Sequence, residues 1–105
     1  MPDDRRRHAR FPLGLPVQLE VGETGEAIIV EIVDVSAGGL RLRSLGEEVR
    51  PRQRATLRFV LADQRACRVE GRVSRVEPGW TFVLALERAN AAFLRFLKSL
   101  AAESL

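Results

Sequence analysis

Apolar residues in this chain recur at every second position in short runs, and clusters of turn-forming residues separate the runs. Period two is the repeat of a strand with one buried face, so the pattern commits the chain to β-structure over most of its length. Val17, Leu19 and Val21 alternate with Gln18 and Glu20, and Gly22-Glu23-Thr24-Gly25 then supplies a hairpin turn. Ala27 to Val35 is apolar on both faces, which predicts a central strand with Ile28, Val30 and Ile32 on one side and Ile29 and Val33 on the other. Leu40 and Leu42 alternate with Arg41 and Arg43, a short third strand with a basic outward face. Leu45 to Arg54, with Gly46, Pro51 and several charges, reads as a loop.

Leu57, Phe59 and Leu61 mark a fourth strand that turns at Ala62-Asp63-Gln64-Arg65 into a fifth, where Cys67, Val69 and Val73 keep one parity. Val76 falls on the other face, which predicts a β-bulge near Arg75. After Glu77-Pro78-Gly79, the stretch Trp80 to Leu86 gives a sixth strand with Phe82, Leu84 and Leu86 on one side. Asn90 is the expected N-cap of a helix whose Phe93, Phe96, Leu97 and Leu100 form an amphipathic stripe. The expected fold is mainly β: a six-stranded antiparallel β-barrel with a C-terminal α-helix. Residues 1–12 are expected to be a flexible, arginine-rich arm, because Phe11-Pro12 disfavours helix there, and residues 13–105 a single domain. A chain of 105 residues has room for one such core.

Two stretches carry chemistry. The run Arg5, Arg6, Arg7, His8, Ala9, Arg10 crowds four guanidinium groups together. Asp34-Val35-Ser36-Ala37-Gly38-Gly39 ends the most apolar strand with an acid, a hydroxyl and two glycines, the chemistry of a strand end that turns through exposed backbone amides. Taken singly, the first reads as a solvated tail and the second as an ordinary turn. Taken together they are complementary. Arginine binds phosphate and the O6/N7 edge of guanine, while a carboxylate accepts from guanine's N1 and N2 donors, so the pair fits the two halves of a guanine-nucleotide site.

Arg6-x-x-x-Arg10 followed some two dozen residues later by Asp34-x-Ser36-x-x-Gly39 resembles the paired signature of the PilZ domain, a bacterial receptor module for cyclic di-GMP. The resemblance covers nearly the whole chain and implies the same strand-rich body with a helix after it. It implies that Arg6 and Arg10 hold the ligand through guanine edges and phosphates, and that Asp34, Ser36 and Gly39 line the opposite wall with Gly38 beside them. Arg5 and Arg7 flank the matched positions. In the family an arginine at the place of Arg5 goes with two stacked ligand molecules in place of one. His8, Arg41 and Arg75 are secondary candidates, and the ligand is expected to order the arm against the barrel so that a separate downstream protein reads the change.

Other classes fit less well. Hydrophobic content of 46% with 30% charged residues argues against wholesale disorder. No apolar stretch approaches the roughly 20 residues that span a bilayer, and the N-terminus is charged where a signal peptide is apolar, so membrane insertion is not expected and the cytoplasm is the default compartment. One histidine and one cysteine do not make a zinc site, and no nucleophile-base set is visible, so neither metal nor enzyme is expected and no cofactor beyond the ligand. The net charge of +3, carried by arginines with Lys98 as the only lysine, leaves nucleic acid as a competing partner, but the scarcity of aromatics for base stacking disfavours it. The alternative is a protein-interaction adaptor of the same fold that does not depend on nucleotide.

Overall fold

A parity rule shapes the body of the molecule: a small barrel has one interior, so every second residue of each strand turns inward and the rest meet solvent. The computed structural model describes residues 10–103. Six strands, β1 (Phe11–Val21), β2 (Glu26–Val35), β3 (Gly39–Ser44), β4 (Arg54–Val60), β5 (Ala66–Glu77) and β6 (Thr81–Ala89), precede one helix, α1 (Ala91–Glu103). The strands pair antiparallel in the order β1-β2-β3-β6-β5-β4, and β4 closes the ring on β1. Leu19, Val30, Ile32, Leu42, Leu57, Val69 and Leu84 are completely buried and fill the interior.

The expected barrel and helix are present, with differences that have physical causes. β1 begins at Phe11, six positions before the alternation at Val17. Pro12, Gly14 and Pro16 hide the strand in sequence, yet the segment Phe11–Val17 pairs with β2 alone, where a residue without an N–H is tolerated. Phe11 and Pro12 therefore belong to the barrel, while residues 1–9 of the expected arm lie outside the described residues. The second face of β2 is not buried. Ile29 is half exposed, because the outer surface of the barrel faces water. β5 shifts register between Val73 and Arg75, where the parity break predicted a bulge. Trp80 stands in the turn before β6, exposed and at φ 65°.

Asn90 fastens the helix to the barrel. Its Oδ1 accepts from the N–H of Phe93 at 3.1 Å, the N-cap bond, and also from the N–H of Arg68 at 3.2 Å. Its Nδ2 donates to the carbonyl of Ala66 at 2.9 Å, so a single amide ties α1 to β5. Phe93 is fully buried and meets Phe59 edge-on with centroids 6.4 Å apart, and Phe96 meets the same ring at 6.1 Å. Such pairs contribute about 0.5–1.5 kcal/mol beyond area burial. No helix among the described residues is long and apolar enough to cross a membrane.

Two expectations test this packing. A Cβ at Gly71 would lie 2.1 Å from the backbone carbonyl oxygen of Ala85 on β6, a contact that no side-chain rotation relieves. Gly71→Ala is expected to lower stability by about 1–3 kcal/mol in urea denaturation, the cost of overpacking. Burial pushes the Cys67 thiol above its ordinary range. The thiolate is then favoured only in the unfolded chain, so stability is full below the ordinary thiol pKa and falls as pH rises through it. Reaction of Cys67 with a thiol reagent is expected to be slow in the native protein and to accelerate with added urea.

Candidate functional site

The β1–β2 hairpin brings the two chemical stretches together. Its antiparallel register sets Phe11 opposite Val35 and Pro12 opposite Asp34, so Arg10, one residue before β1, emerges beside the end of β2. Arg10 Nη1 lies 3.4 Å from Asp34 Oδ1. Across the other edge of β2, Asp34 pairs with Arg41 of β3, and Arg41 Nη1 is 3.6 Å from Asp34 Oδ2. Arg41 Nε is buried without a hydrogen-bond partner and sits 3.5 Å from Glu77 Oε1 at the end of β5. Glu77 in turn accepts from Arg75 Nε at 2.9 Å. The result is a row of alternating charge along the rim: Arg10, Asp34, Arg41, Glu77, Arg75.

Bulges put these charges on the outside. Ile28, Val30 and Ile32 point inward, and strict alternation would carry Asp34 inward after them, at the heavy cost of a buried carboxylate. The register shifts between Ile32 and Asp34, which leaves both Ile32 and Val35 buried and turns Asp34 to the surface, its side chain 14% exposed. The shift between Val73 and Arg75 does the same for Arg75. A third irregularity, between Pro12 and Leu15, adjoins the residue paired with Asp34. Three of the four register shifts among the described strands thus border this row, in keeping with the use of bulges to re-aim side chains.

The ion pairs at Asp34 and Arg41 are long, at 3.4 to 3.6 Å. Elsewhere on the barrel most are tighter, with Arg58 to Glu20 at 2.8 Å, Arg65 to Asp63 at 2.7 Å and Arg68 to Glu70 at 2.9 Å, while Arg72 to Glu87 is 3.3 Å. Charge-assisted bonds are usually 2.7 to 2.9 Å, so these groups are neutralised without being saturated with hydrogen bonds. They retain capacity for an incoming donor or acceptor.

The turn after Asp34 is closed by Ser36. Its N–H donates to the carbonyl of Gly39 at 2.9 Å, its hydroxyl donates to the same oxygen at 3.2 Å, and the N–H of Gly38 donates to the hydroxyl at 3.3 Å. The side chain is turned into the loop, 7% exposed. Gly39 has a packing reason as well: a Cβ there would sit 2.8 Å from the carbonyl oxygen of Leu84. Gly38 is exposed on the outer side of the turn.

Of the residues proposed from sequence, Arg10, Asp34 and Arg41 converge, with Ser36, Gly38 and Gly39 in the adjoining turn. Arg75 reaches the row only through Glu77. β6 stands between β3 and β5, with Val83 paired to both Arg41 and Arg75, so Arg75 does not adjoin β3. Arg5, Arg6, Arg7 and His8 lie outside the described residues. Glu77 was missed. Its place depends on the order of strands around the ring, which no local pattern encodes. Asp34's outward turn, by contrast, was open to the parity argument that located the bulge near Arg75. Trp80 lines a cavity of about 210 Å³ with Val49, Val76 and Phe82, which touches the row at Glu77 and does not include Asp34.

The sequence profile of the PilZ domain matches residues 4–99. The fold is similar to that of the Bacillus subtilis inhibitor of motility (MotI/DgrA), with a TM-score of 0.64 at 18% identity. The match covers 97% of this chain and 52% of that one, so this chain spans about half the length of that protein. At that identity the likeness is one of fold. No curated protein matches the sequence.

The bonding of Ser36 gives it a role before any ligand arrives. Ser36→Ala is expected to destabilise the empty protein by about 1 kcal/mol, read by chemical denaturation, since it removes the hydroxyl's bonds to Gly39 and Gly38. A side chain that served a ligand alone would leave the empty protein's stability unchanged.

Proposed function

This chain belongs to the PilZ domain family, a family of cyclic di-GMP receptor domains that are binding modules and not enzymes, and on that premise we propose that it is itself a cyclic di-GMP receptor. The observation that carries the reading is the 3.4 Å approach of Arg10 to Asp34, which unites the two halves of the signature at one rim of the barrel. In the loaded state Asp34 accepts from the N1 and N2 donors of a guanine, a role no arginine can take. Arg10, displaced from Asp34, turns to the O6/N7 edge or to a phosphate. Arg6 supplies the second matched guanidinium, with Arg5 and Arg7 beside it. In an extended segment Arg6 and Arg10 are up to about 13 Å apart, enough to reach separate groups of one dinucleotide. Ser36, Gly38 and Gly39 form the opposite wall, where Ser36 acts by shaping the turn and Gly38 admits the ligand close to the backbone. Arg41 stays as the guanidinium nearest the bound carboxylate, and His8 and Arg75 are peripheral.

Energetics tie binding to ordering. Each charge-assisted bond contributes about 1.5–3 kcal/mol, and fixing a residue costs roughly 1–2 kcal/mol. A doubly charged dinucleotide offers enough groups to offset the ordering of the N-terminal segment, and the altered face is what a separate downstream protein reads. The arginine at position 5 fits two stacked ligands per protomer. A second reading, a nucleotide-independent adaptor, draws on one fact: Asp34 is already compensated by Arg10 and Arg41 without any ligand.

Isothermal titration separates the two. Cyclic di-GMP is expected to bind saturably, with the inflection giving the stoichiometry, and GTP not at all. Arg10→Ala and Asp34→Ala are each expected to weaken binding by about tenfold or more, the loss of at least one charge-assisted bond. Flat heats from a folded, nucleotide-free sample would overturn the receptor reading in favour of the adaptor.

A further inference from the structure

A second cluster of charge lies on the far wall of the barrel. In the closed ring β4 stands opposite β3 and β5 opposite β2, so the outer face of the β4–β5 ribbon looks away from Asp34. That ribbon sets arginines directly against each other, Arg54 against Arg72 and Arg58 against Arg68. Like charges facing across an antiparallel ladder repel. At the second pair the repulsion is answered within the protein, because Arg58 has Glu20 at 2.8 Å and Arg68 has Glu70 at 2.9 Å. At the first pair it is answered on one side only. Arg72 Nε has Glu87 at 3.3 Å, and Arg54 has no ion pair among the described residues.

The neighbourhood adds donors. Arg52 is held in the left-handed region at φ 73°, its N–H donating to the carbonyl of Val73 at 2.7 Å and its own carbonyl accepting from Arg72 Nη1 at 3.5 Å. A non-glycine residue at positive φ is uncommon and is fixed here by one backbone bond and one bond from the Arg72 side chain. Gln53 Oε1 accepts from the N–H of Arg50 at 2.8 Å, which leaves its Nε2 as a donor facing Gly22. Arg52, Gln53, Arg54 and Arg72 line, with Gly22 and Glu23, an open cleft of about 390 Å³.

We propose that this cleft is a second anion site, which takes a compact phosphate-type anion, a pyrophosphate or phosphomonoester group, through Arg52, Arg54, Arg72 and Gln53 Nε2. Guanidinium groups match phosphate oxygens bidentately, and a bound anion supplies the counter-charge that Arg54 lacks. The size of the cleft suits a small group. None of the lining residues is aromatic, so a stacked nucleic-acid strand finds no platform.

Pyrophosphate titrated into ¹⁵N-labelled protein at constant ionic strength tests the site. The amides of Gly22, Gln53 and Arg72 are expected to shift saturably while those of Val35 and Leu40 do not, and Arg54→Gln is expected to weaken binding at least tenfold. Arg72→Gln is the second variant, expected to act in the same direction. Pyrophosphate should also raise the thermal midpoint of the wild type and leave that of Arg54→Gln unmoved. Equal shifts from chloride at matched ionic strength, shifts centred on Val35 and Leu40, or unchanged affinity in both variants would each overturn the proposal.

Discussion

The cost of placing a charge inside a narrow barrel governs this structure. The interior holds Leu19, Val30, Ile32, Leu42, Leu57, Val69 and Leu84 with no exposure to water, and a carboxylate or guanidinium among them has nothing to pair with. Strict alternation would nonetheless carry Asp34 and Arg75 inward. The chain resolves the conflict by shifting register just before each of them, between Ile32 and Asp34 and between Val73 and Arg75. Those shifts are local breaks in the ladder, and they fall where the rim gathers its charges. The candidate site is thus a consequence of the same rule that builds the core.

How much of this the sequence discloses depends on whether the information is local. β3 and β6 were legible because Leu40 and Leu42, and Phe82 and Leu84, alternate without interruption. The helix start was legible because an asparagine before an apolar stripe has one obvious use, and Asn90 caps Phe93. The first half of β1 was not, because Pro12, Gly14 and Pro16 break every strand pattern and are tolerated only where that segment pairs on one side. The resemblance places Ser36 in the wall of a ligand site on the strength of its motif. Its bonds to Gly38 and Gly39 form within the turn itself, and nothing in the residue string distinguishes those two uses.

Glu77 marks the harder limit. Its contact with Arg41 spans three strands, since β6 lies between β3 and β5 and Val83 is the shared neighbour. Such a contact exists only once the ring has closed in its particular order. Long-range charge rows of this kind are set by topology, and composition and period are silent about them.

The separation of core from rim also fixes what the site is free to do. Exposed ion pairs contribute roughly 0–1 kcal/mol to stability, whereas burying one large apolar side chain contributes about 1.5–3 kcal/mol. The bonds of Arg10 and Arg41 to Asp34 lie at a partly exposed rim, with side chains 14 to 40% exposed, and their length makes them weak. Exchanging them for other partners therefore leaves the barrel intact. Because Asp34 is held by guanidinium groups and not by the core, its carboxylate is presented outward in a fixed position yet is loosely engaged. That combination, a rigid support under an exchangeable charge, is what a binding rim requires, and here it follows from a single displaced residue in β2.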